Sequence, residues 1–431
     1  ECLTVEWSQW YLNFMEQNMK FFCFVVVGIW SVAGVTADDW PQWRGPNRTD
    51  VSNEAGLLKS WPADGPKRDW LSKAGGLGYS GFSVVGNHLF TMGLEIGGDD
   101  EFVVCLDVKN GETKWKTNVA KIFKNGWGDG PRSTPTIDDG HCYVVSGNGV
   151  VACLKSSDGT VVWEKTMQDL GGKTPFWGYC ESVLVDGKNM ICTPGGKDGA
   201  VVALNKKTGE IVWQSKDFQD GAQYSSPIKA VINNQPQYIQ LTMKSLVSLS
   251  PVDGSVLWKS DWPGQTAVIP TPIVKGNRVY VSSGYRVGCM SVEVAADNSV
   301  KQVWKNQVMV NHHGGVILVG EHLFGYSDGR KGGWTCQSFA DGEQVWAENK
   351  ALSKGAIAYA DGKFYCLSES KGEVVLIDAA VEGWKEAGRF KLEPQTENRS
   401  NRGKIWVHPV IANGKMFLRD QELIYCYDIS P

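Results

Sequence analysis

The chain has 431 residues, and its 43 Lys and Arg against 47 Asp and Glu leave a net charge of −4. That near-balance offers no electrostatic footprint for nucleic acid and no polybasic patch for a membrane surface. Glycine is frequent, 50 residues against an ordinary share of about 7%, which suits a domain made of many turns.

Residues 1–18 carry no recognisable period and read as an upstream extension. From Met19-Lys20 an apolar run, Phe21 to Val35, leads into Val35-Thr36-Ala37. A positive start, an apolar middle and a small-x-small end predict a signal peptide over 19–37, cleaved after Ala37. The mature protein is then exported, periplasmic or extracellular. A run of about 15 apolar residues is short for a membrane span, and no Cys stands at a lipoprotein cleavage position. Residues 38–69 form an irregular lead-in, with Asp39-Trp40-Pro41-Gln42-Trp43-Arg44-Gly45-Pro46 and Trp61-Pro62. Such density of Trp, Pro and Gly predicts an ordered loop packed on a surface rather than a flexible linker.

From Trp70 one frame repeats: a small residue, a tight turn, and a Trp ten positions after the small residue. It runs from Cys105 to Trp115, Cys153 to Trp163, Ala203 to Trp213, Ser248 to Trp258 and Cys336 to Trp346. Four residues before each Trp stands a turn glycine: Gly111, Gly159, Gly209, Gly254 and Gly342. A looser copy ends at Trp304, where Asp297-Asn298 lengthens the turn. Trp70, Trp115, Trp163, Trp213, Trp258, Trp304 and Trp346 follow one another at 42 to 50 residues, the length of one four-stranded propeller blade. Each repeat opens with a small residue, two apolar residues, a turn and two more apolar residues, as in Ser83-Val84-Val85-Gly86-Asn87-His88-Leu89-Phe90. Eight such openings occur, the last at Pro409. The seventh repeat lacks the frame and has Trp384 two places early, which predicts a distorted turn.

This frame resembles the tryptophan-docking motif of the pyrroloquinoline-quinone (PQQ) repeat family, and the lead-in resembles the start of its exported planctomycete-type members. The resemblance implies that each Trp stacks between its own small residue and the turn glycine of a neighbouring blade. The fold expected is an all-β, eight-bladed propeller over residues 70–431. Its last blade takes three strands from the C-terminus, ending in Leu423 to Asp428, and an outer strand from Arg68 to Leu71. Such closure removes the open edge that invites pairing with another chain.

Nine Cys remain after residue 37. Cys105, Cys153, Cys336 and Cys426 sit in the small-residue slot, where a buried thiol serves as a small hydrophobe. A disulfide such as Cys180 with Cys192 is left open by the sequence.

Ligands of a propeller meet the residues just before each innermost strand. Those positions hold Tyr79, Arg132, Tyr179 with Glu181, Gln223 with Tyr224, His312 with His313, Lys354, and Trp406 with His408. The candidates for binding are Arg132, Glu181, Tyr224, His312, Lys354 and His408: two cations for an anionic group, a Tyr ring for a planar one, and Glu181 to orient a hydroxyl or a cation. No catalytic residue and no metal site are expected, because adjacent His residues in a strand point to opposite faces and neither a G-x-S-x-G elbow nor a Walker loop occurs. In the quinoprotein alcohol dehydrogenases of this fold, an adjacent Cys–Cys pair covers the quinone and Glu, Asn and Asp hold calcium. Here no two Cys are adjacent and only Glu181 matches the calcium Glu by repeat position. The reading is therefore an exported binding or scaffolding module of the cell envelope with no cofactor, a monomer serving an unidentified protein or small-molecule partner. The alternative is a PQQ- and calcium-dependent quinoprotein oxidoreductase. An envelope propeller lipoprotein of outer-membrane barrel assembly is the cofactor-free relative in fold.

Overall fold

The computed structural model describes residues 38–431, so the signal-peptide and upstream-extension readings lie outside the described residues. Eight four-stranded antiparallel sheets follow one another in chain order, each a simple meander except the last. The first strands are Ser83–Val85, Thr136–Asp138, Leu184–Asp186, Ile228–Ile232, Ile273–Lys275, Val316–Val319, Gly355–Ala360 and Val410–Ala412, in blades 1 to 8. Neighbouring sheets touch through these first strands, which line the axis. Arg68–Ser72 pairs antiparallel with Leu423–Asp428 and completes blade 8 from the other end of the domain. This is the eight-bladed, all-β propeller that the repeat predicts.

The docking frame works by close approach. Ala203 pairs with Trp213 across the third and fourth strands, and a β-bulge follows directly because Leu204 pairs with Ile211. The same pair-then-bulge recurs at Cys105–Trp115, Cys153–Trp163, Ser248–Trp258, Ser291–Trp304 and Cys336–Trp346. The bulge increases local twist and turns the indole towards the next blade. There it covers the turn glycine. A Cβ on Gly111, Gly159, Gly209, Gly254 or Gly342 would stand 2.4 to 2.8 Å from the ring of Trp70, Trp115, Trp163, Trp213 or Trp304 respectively. The indole N–H then donates to a backbone carbonyl of that neighbour, for example Trp70 to Val108 at 2.8 Å and Trp163 to Lys206 at 2.9 Å.

Two blades depart from the frame, for visible reasons. Blade 5 has Asn298, not Gly, at its lengthened turn, and the facing Trp258 instead donates to Gln237 Oε1 of its own blade at 2.6 Å. In blade 7 Leu376 pairs with Gly388, so no Trp stands in the docking position. Trp61 of the lead-in fills it, its Cβ 2.6 Å from where a Gly388 Cβ would be. Trp384 lies in the lengthened turn and packs on Trp334, with ring centroids 5.7 Å apart.

The lead-in does more than pack on a surface. Between Trp40 and Glu54 it crosses the axis and touches all eight blades. Trp40 bridges Val84, Pro41 accepts from Ile137 N, and Val51 bridges Tyr359, in blades 1, 2 and 7. Arg48 donates to the carbonyls of Ser182, Val183 and Pro227, at the starts of blades 3 and 4. Trp43 reaches Thr271 of blade 5, Arg44 reaches Val316 O of blade 6, and Asp50 reaches His408 of blade 8. Arg44, Arg48 and Asp50 take left-handed backbone angles, φ 61, 57 and 58°. Three strained residues so close together persist only because the surrounding contacts over-determine them.

All nine cysteines of the described residues are free, and Cys180 is not bonded to Cys192. No helix of the described residues is long and apolar enough to cross a membrane.

Candidate functional site

Because the lead-in closes the axis, the openings of the blades enclose a blind cavity of about 360 Å³ rather than a through-channel. Its floor is Trp43, whose ring lies 4.7 Å from that of His408. Under the floor, Asp50 Oδ2 accepts from both Arg44 Nε at 2.6 Å and His408 Nδ1 at 3.0 Å. Burial pushes the Asp50 carboxyl up, but the charges and hydrogen bonds of Arg44 and His408 outweigh it and hold the group below its usual value.

Arg132, Tyr224, His312, Lys354 and His408 all line this cavity, as do Tyr79, His313 and Trp406. Glu181 does not. Its carboxylate turns into the wall between blades 3 and 4, where it accepts from the Thr193 backbone N–H and from Gln240 Nε2. Burial there raises its pKa to about 7, against the smaller lowering by Thr193 and Arg48. Tyr179 also turns inward, with its hydroxyl donating to Pro194 O at 3.1 Å, and Gln223 is used on the backbone of Ala222 and Val268. These three stand in the links three to five residues before the strands at Leu184 and Ile228, where a side chain can point either way, and buried hydrogen-bond partners decided them: donors for Glu181, an acceptor for Tyr179 and one of each for Gln223.

The His pair corrects a sequence expectation. His312 and His313 lie in an irregular link, not a strand, and their ring centroids are only 3.7 Å apart. Among the described residues no group of three or more His, Cys, Asp or Glu is placed to hold an ion. Instead His312 belongs to a hydrogen-bonded chain. Asp328 Oδ2 accepts from Lys354 Nζ at 2.5 Å, Lys354 Nζ stands 3.1 Å from His312 Nδ1, and His312 Nε2 stands 2.9 Å from the Tyr285 hydroxyl. Burial and the Lys354 charge push the His312 pKa down to about 3, so the ring is neutral. An ammonium can only donate, so Nδ1 accepts and the proton sits on Nε2, which donates to the Tyr285 oxygen. The Tyr285 O–H is thereby left free to point into the cavity. Tyr285 and Arg286 both have positive φ, 55 and 65°, at a hairpin tip where Asn-Gly is the unstrained choice. Non-glycine residues held in that region mark functional positions more often than ordinary turns.

His313 lies stacked on Trp406, centroids 4.7 Å apart at 25°, and is kept neutral by burial. Its Nδ1 is buried without a hydrogen-bond partner, a costly state unless something supplies one. Trp406 in turn donates from Nε1 to Glu369 at 3.2 Å, and burial raises the Glu369 pKa.

Sequence reading missed Trp43, Trp127, Trp177, Tyr285, Glu369, Arg402 and Lys404, which also line the cavity. Most stand on long links or a hairpin tip, not at the residue before an innermost strand. A signal was present for two of them: Trp127-Gly128 and Trp177-Gly178 repeat in successive links. Arg132, Arg402 and Lys404 form no ion pair among the described residues, although Arg132 packs on Phe123 and Arg402 on Trp127.

A family model described as outer membrane protein assembly factor BamB matches residues 99–348, more than half of the chain. The chain belongs to this family of PQQ-like propellers. It is similar to the outer membrane protein assembly factor BamB of Yersinia pestis, 23% identical over 261 residues, which cover 56% of this chain and 60% of that protein. It thus spans less than two thirds of the curated relative it matches. The solved structure of BamB from Moraxella catarrhalis superposes with TM-score 0.56 at 13% identity, over 80% of this chain and 93% of that one. A quinohemoprotein alcohol dehydrogenase from Comamonas testosteroni superposes with TM-score 0.64 at 12% identity, over 91% of this chain and 80% of that one. At those identities the two structures speak for the propeller fold alone.

The fold family therefore raises PQQ with calcium, and the residues present do not fit it. Glu181, the match to the calcium Glu, is behind the wall on Thr193 and Gln240. Among the described residues, the one carboxylate that lines the cavity, Glu369, is engaged by Trp406 and stands among cations.

Proposed function

We propose that this chain is an exported binding module of the cell envelope whose ligand enters the blind cavity, and that it acts as a monomer without a cofactor. The observation that carries this reading is the closure of the axis by residues 40–54 beneath a cavity built from all eight blades. A scaffold needs outer faces only, whereas here two buried contacts, Arg44 with Asp50 and Arg48 with Ser182 O, and the part-buried bond of Trp43 to Thr271 floor an aromatic and cationic pocket. Location in the envelope rests on the family, whose matched members are named as outer membrane assembly factors. A protein partner on the outer face of the blades is compatible with this reading.

A thermal-shift panel of small anions, run on the wild type and on Lys354→Ala and Trp406→Ala, tests it. At least one anion should raise the midpoint of the wild type and leave both variants unmoved. For the enzyme alternative, PQQ with calcium is added and dye reduction with short alcohols is followed. Alcohol oxidation that Glu181→Ala abolishes would replace the binding reading by a quinoprotein.

A further inference from the structure

We infer that the ligand class of this cavity is an anionic sugar, a saccharide bearing a carboxylate or a sulfate. This rests on the reading of the cavity as the binding site. Charge comes first. Arg132, Arg402 and Lys404 face the cavity without a carboxylate partner among the described residues, and Lys354 adds a fourth cation, held by Asp328. Against them stands Glu369, already accepting from Trp406. Arg132 donates to the carbonyls of Gly130 and Gly128, which hold its guanidinium in place without cancelling its charge, and cations without a carboxylate in a partly buried site select an anion.

The rings then choose between anions. A flat aromatic ligand wants two parallel rings to lie between. Most rings of this wall are inclined instead, Trp127 to Trp177 at 79°, Trp177 to Tyr224 at 68° and Tyr79 to Trp406 at 47°, and the near-parallel pair, His313 on Trp406, is in mutual contact with centroids 4.7 Å apart and no slot between. They make a curved apolar surface that accepts the C–H face of a puckered ring and leaves its hydroxyls at the edge. Those edges meet fixed polar stations. Tyr285 is one of them, because the Asp328–Lys354–His312 chain occupies its oxygen as an acceptor and leaves its O–H free to donate, and the cations are the others. An acidic sugar supplies a hydroxyl oxygen to accept from Tyr285 and, on the same puckered ring, a carboxylate or sulfate for the cations. The volume, about 360 Å³, lies within the range of small-ligand sites and suits the end of a short chain.

Tryptophan fluorescence and calorimetric titration of the chain with a trimeric uronate, a sulfated disaccharide, a neutral trisaccharide and PQQ give the test. At least one of the two acidic sugars should bind, and which one binds distinguishes carboxylate from sulfate. The neutral sugar should bind at least tenfold more weakly, and Tyr285→Phe should weaken the acidic sugar about tenfold, the loss of one hydrogen bond. His312→Gln, which removes the imidazole link between Lys354 and Tyr285 but keeps a polar side chain at that point of the pocket wall, should give part of that loss, and Arg402→Ala should reduce the preference for the acidic over the neutral sugar. Equal binding of the neutral sugar, or tighter binding of PQQ, overturns the proposal. Should other small anions bind in the panel while both acidic sugars fail, the ligand class is wrong and the site stands. Silence of every anion removes both.

Discussion

At the scale of single residues, the docking tryptophan and the glycine it covers are one device. Trp213 is buried against Gly254 of the next blade, and its indole donates to Pro251 O at 3.0 Å. Trp213→Ala should cost roughly 3–5 kcal/mol, as for other buried large aromatics; a urea midpoint unmoved from the wild type would take Trp213 out of the inter-blade contact. Gly209→Ala meets two penalties at once, φ +72° and a Cβ 2.8 Å from the Trp163 ring, and should destabilise although it removes no contact. Glu181 provides a pH-dependent test. Its folded pKa of about 7 lies above the ordinary 4.5, so the folded state holds the proton more tightly. The stability this confers is complete below pH 4.5 and is lost as pH rises through 7, a fall of roughly 3 kcal/mol over that window. Glu181→Gln should flatten the slope of unfolding free energy between those pH values, whatever it does to the absolute stability; an unchanged slope would mean that the carboxylate ionises freely in the fold.

At the scale of elements, the seam between blades 8 and 1 holds the ring shut. Arg68–Ser72 supplies the outer strand, and Arg419 in blade 8 reaches across. Its guanidinium donates to the carbonyls of Gly75, Gly76, Ser80, Met92 and Gln421 and to Thr91 Oγ1, at 2.7 to 3.0 Å. Burial lowers the Arg419 pKa to about 9, yet no carboxylate among the described residues pairs with it directly; backbone dipoles satisfy the charge. Arg419→Met keeps the bulk and strands those acceptors without a donor, so it should cost roughly 3 kcal/mol or more in denaturant unfolding. Deleting residues 38–73 removes the outer strand, the axial floor and Trp61 together. The product should unfold or associate through the bared edge of blade 8, and a monomer as heat-stable as the parent would refute this account of the closure.

At the scale of the whole molecule, a closed ring has no terminal repeat to fray. Each blade offers its neighbour a Trp or a glycine slot, and the lead-in ties all eight first strands at the axis. Open repeat arrays unfold from their ends, where the stability is lowest. Here calorimetry should show one cooperative transition, and Trp213→Ala should lower its midpoint without splitting it. An early separate transition for one blade would show that the seam is weaker than its hydrogen bonds suggest.

The sequence by itself determined the number of blades, their order and the mixed closure, because those follow from periodic contacts: a small residue, a turn glycine and a Trp at set spacings meet in every repeat. It also brought Arg132, Tyr224, His312, Lys354 and His408 to one axis, since equivalent positions in a ring converge. What it could not reach depends on contacts made once and far apart in the chain. Trp61 replacing the missing Trp beside Gly388, and Arg48 capping the carbonyls of blades 3 and 4, have no repeat partner to betray them. Glu181 shares its repeat position with cavity residues and still faces the wall, because Thr193 and Gln240 offered it hydrogen bonds there. The free O–H of Tyr285 required Asp328, Lys354 and His312, from three separate links, to stand within hydrogen-bond reach of one another. Only the folded chain could decide that, since a tautomer is chosen by neighbours in space and not by neighbours in sequence.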